Sequence, residues 1–178
     1  MAQIPVSTAR PVGGDDYADI CRFLFDEAEM LSAGAFAQWE ELLAEDIHYV
    51  VPVPTFQQTG QERELGPGNP YFDEDIHSLR VRIRIFEGPN LSTAENPPAK
   101  LRHFVANVRA WHTDVPGEFR VKAALLLYRV RYTQPEPFLL AGQRDDLLRR
   151  VDGRLRLARR RVDIEQTSIQ SPNMSFLL

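Results

Sequence analysis

From Tyr17 onward the apolar positions recur at helical intervals. Tyr17, Ile20, Cys21, Leu24, Ala28 and Leu31 fall on one stripe, the three-to-four spacing of an amphipathic helix. Asp15 and Asp16 stand in its first turn, where acids meet the positive end of the helix dipole, and Gly34 is a stop signal. A second short helix is predicted with Phe36, Trp39, Leu42 and Leu43 on one face. At Ile47 the period changes to two, and Ile47, Tyr49, Val51 and Val53 share one face of a predicted strand. Pro52 has no N–H for a ladder, so this strand lies at an edge or ends there. Residues 54–72 carry Pro54, Gly60, Gly66, Pro67, Gly68 and Pro70 and are expected to form a long loop. Residues 73–87 fit two patterns. Arg80, Arg82 and Arg84 alternating with Val81, Ile83 and Ile85 suit a strand, whereas Ile76, Leu79, Ile83 and Phe86 suit a helix face.

Beyond Arg102 strand patterns dominate. Residues 102–112 form one candidate, and Asp114-Val115-Pro116-Gly117 is a turn. A long strand over Phe119–Tyr132 ends at Gln134-Pro135-Glu136-Pro137, and Phe138–Val151 follows. Asp152-Gly153 is a strong two-residue hairpin signal, with Arg154–Gln166 pairing back. Helices first and an antiparallel meander after them make an α+β plan. Residues 1–14, with Pro5, Pro11, Gly13 and Gly14, are expected to form an arm, and 15–178 a single domain of ordinary size.

Composition narrows the class. Hydrophobic residues make up 43% and charged residues 26%, which excludes a collagen-like, coiled-coil or wholly disordered chain. The one cysteine, Cys21, rules out an intrachain disulfide and a thiolate-rich metal site, and fits a reducing compartment. The longest apolar run, Ala123–Tyr128, is strand-sized against the roughly 20 residues that span a bilayer. Met1–Val6 shows no secretory pattern, so a cytoplasmic protein without a membrane partner is expected. The net charge of −4 hides a division: residues 1–79 hold 3 basic and 15 acidic side chains, and residues 80–178 hold 18 and 10. The two halves are expected to pack on each other or on partner subunits, a reading favoured over nucleic-acid binding. Nineteen of the 21 basic residues are arginine, which suits planar bidentate ion pairs.

Candidate chemistry is sparse. The four histidines are His48, His77, His103 and His112, and a mononuclear iron site needs two histidines and a carboxylate at one point. If residues 102–112 form one unbroken strand, His103 and His112 point to opposite faces, so no metal site is expected. Asp46 and His48, beside Tyr49, could form an acid–base cluster. The favoured alternative makes Asp46 the end of the second helix and His48 a hydrogen-bonded sheet residue. No G-x-S-x-G elbow, G-x-G-x-x-G turn or Walker lysine is present.

Several blocks taken together resemble one family. Ala94-Glu95-Asn96-Pro97-Pro98-Ala99-Lys100-Leu101-Arg102-His103-Phe104-Val105-Ala106-Asn107-Val108 resembles the W-x-E-x-P-P-S-R-x-R-H-hydrophobic-x-x-N-V signature of the small (β) subunits of aromatic-ring-hydroxylating dioxygenases. Thr93 stands where that signature has an aromatic, Ala99 where it has serine, and Lys100 where it has arginine. Ala141–Arg150 resembles the family's A-G-x-R-x-D-x-L-R block, while Leu155–Arg160, Glu165-Gln166-Thr167 and Asn173–Phe176 resemble its last strand and tail. Trp39, Leu42, Leu43, Asp46, Tyr49 and Pro52 match its W-x-x-L-L-x-x-D-x-x-Y-x-x-P run.

The resemblance implies a nuclear transport factor 2-like cone, with helices packed in a strongly curved antiparallel sheet, and a helix within residues 73–87. It also implies a non-catalytic subunit that pairs with a larger α subunit and other β subunits, commonly as α3β3. The α subunit would carry the Rieske [2Fe–2S] cluster and the mononuclear non-heme iron. It would perform cis-dihydroxylation of an aromatic ring with dioxygen and NAD(P)H-derived electrons, delivered by ferredoxin and reductase components. A Rieske centre needs two cysteines, and this chain has one. No catalytic, cofactor-binding or metal-binding residue is therefore expected here. Arg102, His103, Asn107, Arg144, Asp146, Arg149, Asn173 and Phe176 are structural or interface candidates. Residues 171–178 end in Met174, Phe176, Leu177 and Leu178, and are expected to close a subunit contact or else cap the cone's own core. The rival is a free-standing cone isomerase or dehydratase using Asp46, His48 or His103.

Overall fold

The computed structural model describes residues 10–54, 70–87, 98–132, 134–166, 168–171 and 173–178. Residues 1–9 of the expected arm, 55–69 of the expected loop and the Thr93–Pro97 part of the signature lie outside the described residues. In chain order come α1 (Gly14–Ala33), α2 (Phe36–Glu40), β1 (Leu43–Val51), β2 (Phe72–Glu74), α3 (Ile76–Glu87), β3 (Lys100–His112), β4 (Glu118–Arg131), β5 (Gln134–Val151) and β6 (Arg154–Ile164). The strands form one sheet in the order β2-β1-β6-β5-β4-β3. β3 to β6 make the antiparallel meander that the sequence predicts. β1 returns beside β6 in parallel, and the short β2 closes that side.

Alternation along β4 shows how the sheet meets the helices. Phe119, Val121, Ala123, Leu125 and Leu127 are buried on the inner face, with Leu126 and Tyr128 on the outer one. The α1 stripe of Ile20, Phe23, Leu24, Ala28 and Leu31 packs into that inner face. Tyr17 Oη donates to the Val108 carbonyl at 2.9 Å, pinning the helix start to β3. The ambiguous segment is helical from Ile76, with Ile76, Leu79 and Ile83 buried. A reciprocal cap decides it: Ser78 N–H donates to Asp75 Oδ1 at 2.8 Å, and Asp75 N–H donates to Ser78 Oγ at 2.9 Å.

Three expectations need correction. The second helix stops at Glu40, because Leu157 N–H donates to the Leu42 carbonyl and draws Leu43 into β1. β1 ends before Pro52, the second of the two expected outcomes, and lies between β2 and β6. β5 starts at Gln134, ahead of the predicted Phe138. β6 joins it only from Gly142 onward, so Pro137 lies where one side of the strand is free of a ladder partner. The end of the expected arm pairs with β3: Val12 N–H donates to the Ala110 carbonyl at 3.0 Å, and Val12 is buried.

Two backbone devices bend the meander. Asp152 and Gly153 both take positive φ, 49° and 78°, as a type I′ hairpin requires. In β3 the pairing with β4 shifts between Ala106 and Arg109, and Asn107 has φ 53°, so one extra residue bulges out of the strand. This overturns the parity expected of an unbroken strand. His103 pairs with Leu127 and His112 with Phe119, so both face inward, about 25 Å apart along the strand.

Candidate functional site

The interior holds a polar cluster built from four elements. Glu27 interrupts the apolar stripe of α1 and is completely buried. Its carboxylate accepts from Trp39 Nε1 of α2 at 2.9 Å, from Arg144 Nη1 of β5 at 2.9 Å, and from Arg160 Nη1 and Nη2 of β6 at 2.6 and 2.8 Å. Arg160 also donates through Nε and Nη2 to both oxygens of Asp146, at 2.9 and 2.7 Å. Burial alone would raise Glu27, but Arg160 and Arg144 outweigh it and hold the carboxyl down to about 2. Asp146 faces only one of these guanidinium groups directly, and there burial prevails and raises it. These donor–acceptor forks accept a single placement of α1 over β5 and β6.

The C-terminal segment completes this interior. Phe176, Leu177 and Leu178 are buried at 0, 2 and 0% exposure. His103 Nε2 donates to the Leu177 carbonyl at 2.9 Å, which fixes the proton on Nε2. His103 Nδ1 faces Ser32 Oγ of α1 at 3.2 Å, and burial pushes the imidazole down to about 4. Tyr49 Oη donates to the Leu178 carbonyl at 3.0 Å and accepts from Leu178 N–H at 2.8 Å. The Phe176 ring lies 6.3 Å from that of Phe138. Asn173 Oδ1 accepts from Arg129 Nη2 at 3.0 Å and from Ser175 N–H at 3.3 Å. The tail thus caps its own cone, the alternative that the sequence left beside a subunit contact.

The eight sequence candidates therefore divide. His103, Arg144, Asp146, Asn173 and Phe176 belong to the interior and its tail, whereas Arg102, Asn107 and Arg149 lie on the outside. Arg102 pairs with Glu29 at 3.0 Å, Asn107 sits in the β3 bulge, and Arg149 joins Asp46 and Glu118 at 2.9 and 3.3 Å. Acidic and basic halves meet throughout, with Arg150 on Asp16 and Asp19 and Arg80 on Glu40 and Glu45. The rival catalytic set does not assemble. Asp46 and His48 are exposed on β1 and engage Arg149 and Asp73, while His103 faces the interior. The donors for an iron centre do not converge either: among the described residues no group of three His, Cys, Asp or Glu side chains could hold a metal ion. Nor does any described helix have the length and apolarity to cross a membrane.

Sequence reasoning missed Glu27, Arg160 and the structural role of Tyr49. A signal existed for Glu27, since it falls on the stripe running through Ile20, Leu24 and Leu31. The outer face adds one more feature. Phe104 of β3, Leu126 and Tyr128 of β4 and Leu139 of β5 are 52, 39, 36 and 50% exposed on neighbouring strands, with Arg102 beside them. They form a contiguous apolar patch.

Comparison with known proteins agrees with this architecture. The family model described as "Ring hydroxylating beta subunit" matches residues 26–171. The chain is 34% identical over 171 residues to the biphenyl 2,3-dioxygenase subunit beta of Rhodococcus jostii strain RHA1, covering 93% of this chain and 90% of that one. It is 32% identical, with the same coverage, to the benzene 1,2-dioxygenase subunit beta of Pseudomonas putida. A naphthalene 1,2-dioxygenase structure with indole bound superposes at a TM-score of 0.81, with 20% identity over 93% of this chain and 88% of that chain. The benzoate 1,2-dioxygenase beta subunit of Burkholderia mallei gives 0.67, with 17% identity over 86% and 93%. The fold is the nuclear transport factor 2-like cone, and the chain belongs to the ring-hydroxylating dioxygenase β-subunit family.

Proposed function

We propose that this chain is the non-catalytic β subunit of a multicomponent aromatic-ring-hydroxylating dioxygenase and that it holds the larger α subunits in their assembly. One observation carries the reading: the space inside the cone is filled by the chain's own Phe176, Leu177 and Leu178, and the polar groups around it serve as structural donors and acceptors. Under this proposal the α subunit supplies the Rieske [2Fe–2S] cluster, the mononuclear iron and the dihydroxylation of the ring. Ferredoxin and reductase deliver the electrons, the complex is α3β3, and it works in the cytoplasm. The outer patch of Phe104, Leu126, Tyr128 and Leu139, flanked by Arg102, is the proposed contact with a neighbouring subunit.

Co-expression with a large subunit of such a dioxygenase from the same source tests this. The two chains should co-elute as one iron-containing complex. Replacing both Leu126 and Leu139 with Asp should release the β chain while leaving the melting temperature of the isolated chain nearly unchanged. A β chain that never co-elutes with a large subunit would overturn the proposal.

A further inference from the structure

We propose that the inner face of the sheet is a binding site for an apolar peptide, and that residues 173–178 occupy it as a ligand docked onto a cone already built. The proposal goes beyond the subunit reading and stands whether or not that reading holds.

Recognition of the tail follows a peptide-binding pattern. Among the described residues no strand pairs with it, and at its buried end the polar contacts run from framework side chains to its main-chain atoms. His103 of β3 donates to the Leu177 carbonyl at 2.9 Å, and Tyr49 of β1 and Arg160 of β6 donate to the Leu178 carbonyl at 3.0 and 3.2 Å. Leu178 N–H returns a bond to Tyr49 Oη at 2.8 Å. Near the entry, Arg129 of β4 donates to Ser171 Oγ at 2.9 Å and to Asn173 Oδ1 at 3.0 Å. Phe176 supplies the apolar anchor against Phe138.

One of these donors is held by the framework itself. Arg160 is already clamped by Glu27 and Asp146 through four hydrogen bonds, so its Nη1 points inward before any peptide arrives. Arg144 adds a second sign of a polar site. It is fully buried in the same cluster, and among the described residues its Nε and Nη2 have no hydrogen-bond partner. The interior therefore carries more donor capacity than its present occupant uses. The ligand class is an apolar segment that offers carbonyl oxygens at peptide spacing, with an aromatic side chain one residue ahead of the first.

The test keeps the chain whole while it folds. A protease site is inserted between Gln170 and Ser171, and the purified full-length protein is cut after folding. A synthetic peptide of residues 171–178, labelled at its N-terminus, is then titrated into the cut protein and followed by fluorescence anisotropy. The cut chain should keep its far-ultraviolet circular dichroism, and the labelled peptide should exchange in saturably. The peptide carrying Phe176→Ala should bind on the order of 100-fold more weakly, from lost burial of the ring. A peptide N-methylated at Leu178, which cannot donate to Tyr49, should lose about 5-fold, and it leaves the protein unaltered. Loss of the dichroism signal when the tail departs, no saturable exchange, or equal binding of the Phe176→Ala peptide would each overturn the proposal.

Discussion

His103 gives the sharpest link between interior geometry and a bulk measurement. Its imidazole donates to the Leu177 carbonyl and is buried between α1 and the tail, and burial pushes it from an ordinary value of 6.5 down to about 4. Between those values the unfolded chain binds a proton that the folded chain refuses, so stability rises with pH across that window and falls on acidification. From pH 7.5 to pH 5 the loss is about 2 kcal/mol, at 1.36 kcal/mol per pH unit over the interval from 6.5 to 5. That is a sizeable part of the roughly 5–15 kcal/mol typical of a domain. Urea unfolding followed by tryptophan fluorescence at the two pH values measures it. In His103→Gln the amide can still donate to Leu177, but no imidazole titrates in the unfolded chain. The variant should therefore lose about 2 kcal/mol less than the native chain over the same interval. Asp146, which burial raises, contributes with the opposite sign in both proteins and cancels in the difference. Equal losses in native and variant chains would refute the reasoning.

Two further outcomes follow from the same interior. Glu27→Gln leaves Arg144 and Arg160 facing a neutral amide in a buried site, and should cost about 3–5 kcal/mol by urea unfolding at pH 7.5; a loss below about 1 kcal/mol would contradict the buried-charge argument. Gly142→Ala would bring a Cβ within 2.8 Å of the Asp163 carbonyl oxygen where β6 first meets β5. It should lower stability by about 1–3 kcal/mol in a thermal melt.

Much of the fold was legible because local signals and tertiary demands agreed. The α1 stripe, the Asp152-Gly153 hairpin and the alternation of β4 each specify their element from neighbouring residues alone. Residues 73–87 were balanced between two periods, and the pattern of apolar residues could not choose. The Asp75–Ser78 cap chose, a cue of two polar side chains outside that pattern. The parallel seat of β1 beside β6 was not readable, since it brings together Tyr49 and Arg160, which are far apart in sequence. Parity in β3 failed for a related reason. One residue at positive φ reverses every side chain beyond it, and an exposed asparagine announces such a bulge only weakly. The interior site was half visible: Arg144 and Asp146 stood out through a motif, while Glu27 and Arg160 acquire meaning only when helix and sheet are superposed.

The buried cluster and the outer patch are connected through the sheet. Replacing a buried ion-pair network by well-packed apolar groups is often neutral or stabilising, so net stability alone does not explain Glu27, Arg144, Arg160 and Asp146. Their geometry offers a better reason. A bidentate fork tolerates little rotation, so Arg160 fixes β6 against Asp146 of β5 and against Glu27 of α1 at one register. The strands so fixed continue, through β4, into the outward positions of Leu126, Tyr128 and Leu139. A one-residue slip would turn those side chains inward and bring inner-face residues such as Leu127 and Leu140 out in their place. An interior that enforces register therefore also fixes which residues reach the outer surface, and a subunit whose role is contact depends on that surface. The tail reads the same register, because its carbonyls meet donors of β1, β3 and β6 that the framework brings to one place.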